Sequence, residues 1–236
     1  MVSSLIHPQL PLGLEPGERL NFDTFVAGDN ALAAGITRQC ALGEGEQQMY
    51  LWSKSGLGKS HLLQASCNIA AKNQRTVCYL TSQHMLQQPV EMFDGLEQLN
   101  LICLDELERW LSTPSWQQAL FNLINRVRDA GNSLIMASTT APDASDIALA
   151  DLRSRLGWGP VFQLQSLSDA DKYQAMKIRA RQSGLDLPQN VADYLLRRYP
   201  RNLTDLFERL SVLDKAAMSM QRPLTIPLIK TVFPER

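Results

Sequence analysis

The sequence has almost no net charge and no long hydrophobic run. Its 236 residues carry 23 lysines and arginines against 24 aspartates and glutamates, a formal net charge of −1. A protein that binds DNA on its own usually presents a strong positive field, so this balance argues against autonomous DNA binding and leaves room only for a local basic patch. The longest apolar runs fall far short of the ~20 residues of a membrane span, and no basic segment followed by an apolar one opens the chain. We therefore expect a cytoplasmic protein that makes no membrane contact.

Cysteine is scarce and lacks the spacing of a metal site. The 4 cysteines are Cys40, Cys67, Cys78 and Cys103. Because most of them fall inside apolar helix or strand patterns, we expect buried free thiols in a reducing compartment and no catalytic role.

Strand and helix patterns alternate along the first part of the chain, and the strands then cease. Apolar and β-branched runs predict strands at residues 49–52, 76–81, 99–106, 133–138 and 161–164. Strands separated by helices favour a parallel sheet in a three-layer α/β sandwich. After residue 167, start signals at Ser168, Pro188, Asn202 and Thr225 predict a small helical bundle.

The segment "SKSGLGKSHL", residues 53–62, joins a predicted strand to a predicted helix. Gly58, Lys59 and Ser60 match the end of the phosphate-loop pattern G-x-x-x-x-G-K-[ST], whereas Ser53 stands at the first glycine position and Gly56 adds backbone freedom. Glycines let successive N–H groups face phosphate oxygens, and the helix adds its positive end. We expect Lys59 to bridge the β- and γ-phosphates and Ser60 to ligate Mg²⁺. A plain Gly/Ser/Lys turn is the alternative.

A second predicted strand, "LICLDE", ends in two acids. We expect Asp105 to hold Mg²⁺ through water and Glu106 to orient or activate an attacking water. The alternative is that both residues merely end a strand and start a turn.

Several phrases together resemble the DnaA branch of the AAA+ ATPases, from about residue 22 onward: "FDTFVAGDNALA", "GLGKSHLLQA", "LICLDE", "RSRLGWG" and "LTIPLIKTVF". The resemblance implies an AAA+ P-loop parallel sheet sandwich with a C-terminal helical lid bundle, and ADP or ATP with Mg²⁺ as cofactors. It implies an arm at 1–21, a nucleotide-binding α/β domain at 22–166 and a lid at 167–236. Backbone near Phe25 and Val26 is then expected against the adenine. The implied nucleotide-binding residues are Phe25, Val26, Ser55, Gly56, Leu57, Gly58, Lys59, Ser60 and His61, with Ser60 and Asp105 at the metal.

The same resemblance makes Arg155, in "DLRSRLGWG", an arginine finger that acts on a neighbouring subunit's nucleotide. A planar guanidinium stabilises the charge that develops on a transferring phosphoryl group. Arg153 is the weaker candidate, and a solvated helix face is the alternative for both arginines.

Two positions depart from the family pattern. Thr139 falls at the sensor-1 position, where an acid or amide is usual, and is taken as a catalytic position with Arg155, Asp105 and Glu106. Thr204 falls where a sensor-2 arginine is expected, with Arg201 three residues earlier. A missing lid cation weakens contact with the γ-phosphate, so we expect weak or no intrinsic ATPase activity and a nucleotide that serves mainly as a structural ligand.

The opening arm contains "QLPLGL", residues 9–14. It is similar to the hexapeptide by which replication proteins bind the bacterial sliding clamp, the β subunit of DNA polymerase III. Leu12 and Leu14 would enter an apolar pocket, Gln9 would supply a directional amide, and Leu10 completes the motif. An arm that packs on its own domain is the alternative.

Together the arm and the ATPase pattern resemble regulatory members of the DnaA branch, which inactivate the initiator. The partners implied are the DnaA initiator, the clamp, DNA through the clamp, and further copies of the chain, because AAA+ contacts are heterologous. We expect no helix-turn-helix DNA-binding domain after the bundle. The "RRYPR" cluster at 197–201 either touches DNA or DnaA or forms a solvated corner. A clamp-loader-like or helicase-loader ATPase is the runner-up, and a DNA-binding module is a further alternative.

Overall fold

The core of the protein is a five-stranded parallel sheet with the strand order β2-β3-β4-β1-β5. A computed structural model describes residues 20–82, 88–144 and 147–234. Parallel neighbours need crossover connections, which helices supply here. The predicted parallel α/β sandwich is therefore confirmed. The strands are β1 (Gln48–Trp52), β2 (Val77–Thr81), β3 (Leu101–Asp105), β4 (Ser133–Ser138) and β5 (Val161–Gln163).

The α-helices of the described part differ widely in length. None of them is long and apolar enough to cross a membrane. They are α1 (Ala31–Leu42), α2 (Lys59–Lys72), α3 (Leu107–Trp110), α4 (Pro114–Asp129), α5 (Ala150–Leu156), α6 (Asp169–Gln182), α7 (Gln189–Arg198), α8 (Leu203–Met220) and α9 (Ile226–Val232).

The sheet separates two apolar layers. Successive side chains of a strand point to opposite faces, so Tyr50 packs with α4 and α5 while Met49 and Leu51 pack with α1 and α2. Every residue of β3 and β4 is buried. Burial on both faces explains why these strands are continuous apolar runs rather than alternating patterns.

The four helices α6–α9 form a third core after the last strand. Side-chain caps fix three of their starts, as the sequence predicts. Ser168 Oγ accepts from Asp171 N at 3.1 Å, Asn202 Oδ1 from Asp205 N at 2.9 Å, and Thr225 Oγ1 from Leu228 N at 3.4 Å. Pro188 lies at the N-cap of α7 rather than in its first turn.

Helix α1 was not predicted from sequence periodicity. Its N-cap residue is Asn30, whose side chain makes no cap bond but pairs with the backbone of Gln165, donating at 3.0 Å and accepting at 2.7 Å. The start of α1 is thus fixed by a contact with a distant segment, which a local pattern does not reveal.

The four cysteines are free and buried, as expected. Burial raises the pKa of Cys40 and of Cys78 to about 12. These groups remain thiols near neutral pH and are poor nucleophiles.

Gly159 permits a close approach between the chain after α5 and β1. A Cβ placed on Gly159 would lie 1.9 Å from the carbonyl oxygen of Gln48. We expect Gly159→Ala to lower the free energy of unfolding by about 1–3 kcal/mol or more, because backbone must move to admit the methyl group. Thermal denaturation checks this, with Gly157→Ala as the matched control, since its nearest atom would be 3.7 Å away. Equal stability of the two variants would contradict the expectation.

Candidate functional site

A cleft of about 450 Å³ lies between the carboxyl edge of the sheet and the lid helices. Its lining includes every residue that the sequence assigned to nucleotide, metal or catalysis except Arg155. The loop after β1 and the start of α2 form one wall, and α6 and α8 form another. The predicted residues that line it are Phe25, Val26, Ser55, Gly56, Leu57, Gly58, Lys59, Ser60, His61, Asp105, Glu106 and Thr139.

The loop backbone depends on two glycines. Gly56 and Gly58 have φ angles of +79° and +98°, in a region that other residues rarely adopt. A Cβ on Gly58 would lie 2.9 Å from the Phe25 ring, so the segment before α1 packs directly on the loop. Gly58 is the N-cap of α2, and the first N–H groups of that helix have no partner within it. Such groups bind phosphate oxygens.

Lys59 lies inside the loop and is only 8% exposed. Its Nζ donates to the Ser53 carbonyl at 2.7 Å, to Ser53 Oγ at 3.2 Å and to the Lys54 carbonyl at 3.1 Å. Ser53, the departure from the glycine pattern, therefore adds a hydroxyl to the cage around the ammonium group. Burial lowers the pKa of Lys59, while the negative charges of Asp105 and Glu108 oppose this effect. A phosphate at the loop would stabilise the same charge.

Asp105 is held rigidly at the end of β3. It is 2% exposed, and the Tyr79 hydroxyl donates to its Oδ2 at 2.8 Å. Burial, with the neighbouring Asp105 charge, raises the pKa of Tyr79, so the phenol stays a donor. The next residue, Glu106, has a left-handed backbone and accepts from Ser82 Oγ at 2.5 Å.

Glu108 is a cleft residue that the sequence reasoning missed. Its Oε2 accepts from Ser138 Oγ at 3.1 Å and from the backbone N of Thr139 at 3.0 Å. It thereby joins the end of β4 to α3. The signal was present in "LDELER", but sequence reasoning followed only the two acids at the strand end.

The side chain of His61 fastens the N-terminal part of the described chain. Its Nε2 lies 2.9 Å from the Asn21 carbonyl, and its ring meets Phe25 edge to face at 5.3 Å. Burial lowers the pKa of His61, and the hydrogen bond with the Asn21 backbone only partly offsets this effect. The group that His61 can offer to a phosphate is therefore its backbone N–H.

The lid presents Thr204 where the family pattern has a cation. A Cβ on Gly56 would lie 3.0 Å from Thr204 Oγ1, so α8 sits directly over the loop. Arg201 does not line the cleft. Its guanidinium donates instead to the Leu196 carbonyl at 3.1 Å and to Asp169 at 3.4 Å.

Arg155 lies at the other end of the sheet. Its carbonyl accepts from Gln48 Nε2 at 2.7 Å, and Gln48 begins β1, whereas the phosphate loop follows the end of that strand. At about 3.3 Å per residue, β1 puts roughly 13 Å between Gln48 and the end of the strand. The Arg155 guanidinium contacts Trp158 and Asn125, neither of which lines the cleft, so Arg155 is remote from the cleft of its own chain.

The Arg155 guanidinium is held on an aromatic platform. It lies 3.6 Å from the centroid of Trp158, and its Nε donates to Asn125 Oδ1 at 3.1 Å. Arg128 covers the same indole at 4.1 Å. Arg153 is exposed and donates to the Ile147 carbonyl at 2.9 Å. Of the two arginines, Arg155 is the one whose guanidinium stacks on an aromatic ring.

The residues of the cleft suit a magnesium–phosphate group. Loop N–H groups and Lys59 can hold phosphate oxygens, and Ser60 and Asp105 can hold the metal directly or through water. The described residues contain no cluster of three or more His, Cys, Asp or Glu side chains suited to a metal. Mg²⁺ needs none, because phosphates and water supply most of its ligands.

The chain belongs to the bacterial DnaA ATPase domain family, whose model matches residues 17–163. The helices that follow match a second model, the lid domain of Hda, at residues 169–233. The chain is therefore a DnaA-related AAA+ protein with an Hda-type lid, and its role is related to replication initiation.

Solved structures show the same fold. Domain III of the Thermotoga maritima replication initiation protein DnaA has a TM-score of 0.81 at 20% identity, covering 92% of this chain and 96% of that one. DnaA from Aquifex aeolicus bound to AMPPCP has a TM-score of 0.75 at 21% identity, covering 89% and 70%. The Thermotoga maritima RuvB branch migration motor has 0.64 at 16%, covering 90% and 72%.

The clamp-type peptide at Gln9, Leu10, Leu12 and Leu14 lies outside the described residues. In the basic cluster, Tyr199 packs beneath Arg209, whose guanidinium is 4.1 Å from its ring, while Arg197 and Arg198 are exposed.

Proposed function

We propose that this chain is a regulator of chromosome replication initiation that promotes hydrolysis of the ATP bound to the DnaA initiator. It binds ADP or ATP with Mg²⁺ in the cleft and docks through its arm on the DNA-loaded sliding clamp. The division into an arm at 1–21, an ATPase domain at 22–166 and a lid at 167–236 is part of this proposal.

The observation that carries the proposal is the separation of Arg155 from its own phosphate loop. A guanidinium that is preorganised on Trp158 but remote from the cleft is suited to the nucleotide of a neighbour. Head-to-tail AAA+ contacts bring the surface that carries Arg155 on one protomer to the phosphate loop of the next protomer. There the planar cation would stabilise charge on the phosphoryl group, an effect worth about 10³–10⁵ in rate.

The chain's own nucleotide has a different task in this proposal. Glu106 is engaged by Ser82, and Thr139 and Thr204 replace usual polar and cationic groups. These features favour weak or no intrinsic hydrolysis. The bound nucleotide would instead connect α2 to α6 and α8. It would thereby keep the surface that carries Arg155 in a conformation that DnaA can bind.

A hydrolysis assay tests the proposal. DnaA loaded with ATP is mixed with this protein, with and without clamp loaded on DNA. We expect hydrolysis to accelerate only when this protein and the DNA-loaded clamp are both present. No acceleration in the complete mixture would overturn the regulator function, and equal acceleration without the clamp would overturn the docking step.

The arm gives a separate prediction. The double change Gln9→Ala and Leu14→Ala should abolish retention on the DNA-loaded clamp, because the peptide loses its directional amide and an apolar anchor. Nucleotide binding should remain unchanged. Co-sedimentation or gel filtration with loaded clamp measures retention. Leu32→Ala is the control, since Leu32 is a leucine outside the arm whose side chain is 68% exposed. Full retention of the double variant would show that the arm does not bind the clamp.

A further inference from the structure

One arginine of the lid has no place in the function proposed above. Arg179 lies on α6 and lines the cleft together with Ala175, Ile178 and Gln182. This spacing puts all of them on one face of the helix. Among the described residues that line the cleft, only Lys59 and Arg179 carry a formal positive charge. One belongs to the loop and the other to the opposite wall.

Arg179 is half-buried and has no carboxylate partner in the described part of the chain. The ion pairs found there are made by other cations: Arg126, Lys172 and Arg201. The Arg179 guanidinium lies 5.9 Å from the ring centroid of Phe207 on α8. A partly desolvated guanidinium with apolar support and no anion is a good phosphate ligand, because its fork geometry matches phosphate oxygens.

The position of Arg179 relative to α2 favours phosphate over base. The Phe207 ring that Arg179 faces lies one turn along α8 from Thr204, and Thr204 Oγ1 would lie 3.0 Å from a Cβ on Gly56 of the loop. The guanidinium is thus on the side of the cleft where α8 covers the loop, and phosphates bind at the helix start that follows this loop.

The usual lid position does not supply this charge. Thr204 is neutral, and Arg201 is engaged by Asp169 and the Leu196 carbonyl. We propose that Arg179 binds the phosphate chain of the adenine nucleotide from the lid side and replaces the cation absent at Thr204. This inference rests on the nucleotide site of the proposed function. It makes the phosphate chain a bridge between α2 and α6, so lid position responds to the number of phosphates.

Direct binding of adenosine, AMP and ADP tests the assignment. Calorimetry on the full chain compares the parent with Arg179→Ala, Arg179→Lys, Arg181→Ala and Lys59→Ala. We expect Arg179→Ala to weaken ADP binding about 10- to 100-fold, as for a lost charged hydrogen bond. Adenosine binding should change little, and Arg179→Lys should recover part of the loss. Arg181, exposed on the same helix, is the matched control and should behave as the parent.

The outcomes separate two failures. If the parent does not bind ADP, the nucleotide site itself is wrong. If Lys59→Ala weakens ADP binding and Arg179→Ala does not, only the proposal that Arg179 binds the phosphate chain is wrong. An equal loss for adenosine and ADP would also overturn it, because Arg179 would then serve lid packing. Melting curves without nucleotide establish that each variant folds.

Discussion

Replacing Arg155 by alanine is expected to remove the stimulation of DnaA-bound ATP hydrolysis. The guanidinium is the group proposed to stabilise phosphoryl charge in the neighbour, and such a contribution is worth about 10³-fold or more in rate. Clamp retention should be unaffected, because the peptide of the arm lies elsewhere in the chain. Stability should fall only slightly, with the loss of the Trp158 and Asn125 contacts. Single-turnover hydrolysis by DnaA with loaded clamp provides the measurement.

Two companion variants sharpen that test. Arg153→Ala removes a cation from the same helix and should keep most of the stimulation. Arg155→Lys keeps a charge but loses the planar fork, so it should restore little. Stimulation by Arg155→Ala at the level of the parent protein would refute the finger assignment.

Replacing Lys59 by alanine is expected to weaken nucleotide binding by at least about tenfold, since a charged hydrogen bond contributes roughly 1.5–3 kcal/mol. The thermal stability gained on adding ADP should shrink in parallel, because a ligand that binds only the native state stabilises it by RT ln(1 + [L]/Kd), which falls as Kd rises. Melting temperatures with and without ADP, together with a binding titration, measure both effects.

The unliganded melting temperature is the internal reference for this variant. Lys59 Nζ bonds to Ser53 and Lys54, so its loss alters the loop even without nucleotide. Only the ADP-dependent increment bears on binding. Lys54→Ala, an exposed cation of the same loop, should keep that increment. An undiminished increment in Lys59→Ala would show that the loop does not hold phosphate.

Much of the fold could be predicted because local patterns determine it. Buried parallel strands are apolar runs, and β3 and β4 were visible for that reason. The caps at Ser168, Asn202 and Thr225 are local hydrogen bonds within one turn. The loop and the acid at the end of β3 were also predictable, since phosphate and metal chemistry restrict the residue types that can serve.

Features that depend on distant contacts were not predictable in this way. The N-cap of α1 pairs with Gln165, far along the chain. The role of Glu108 depends on a bond to the end of β4, and Arg179 reaches the cleft only because the lid folds over the loop. The helical spacing of Ala175, Ile178 and Gln182 marked a face, but only the packing of the lid identifies that face as a cleft wall.

In the proposed function, this chain acts on a neighbour's nucleotide and not on its own. A dual-label experiment tests it most directly: DnaA carries ATP with one γ-phosphate label, this protein carries ATP with another, and both are mixed with clamp loaded on DNA. We expect rapid release of the label from DnaA and retention of the label on this protein. Release from this protein alone, or from neither, would contradict it.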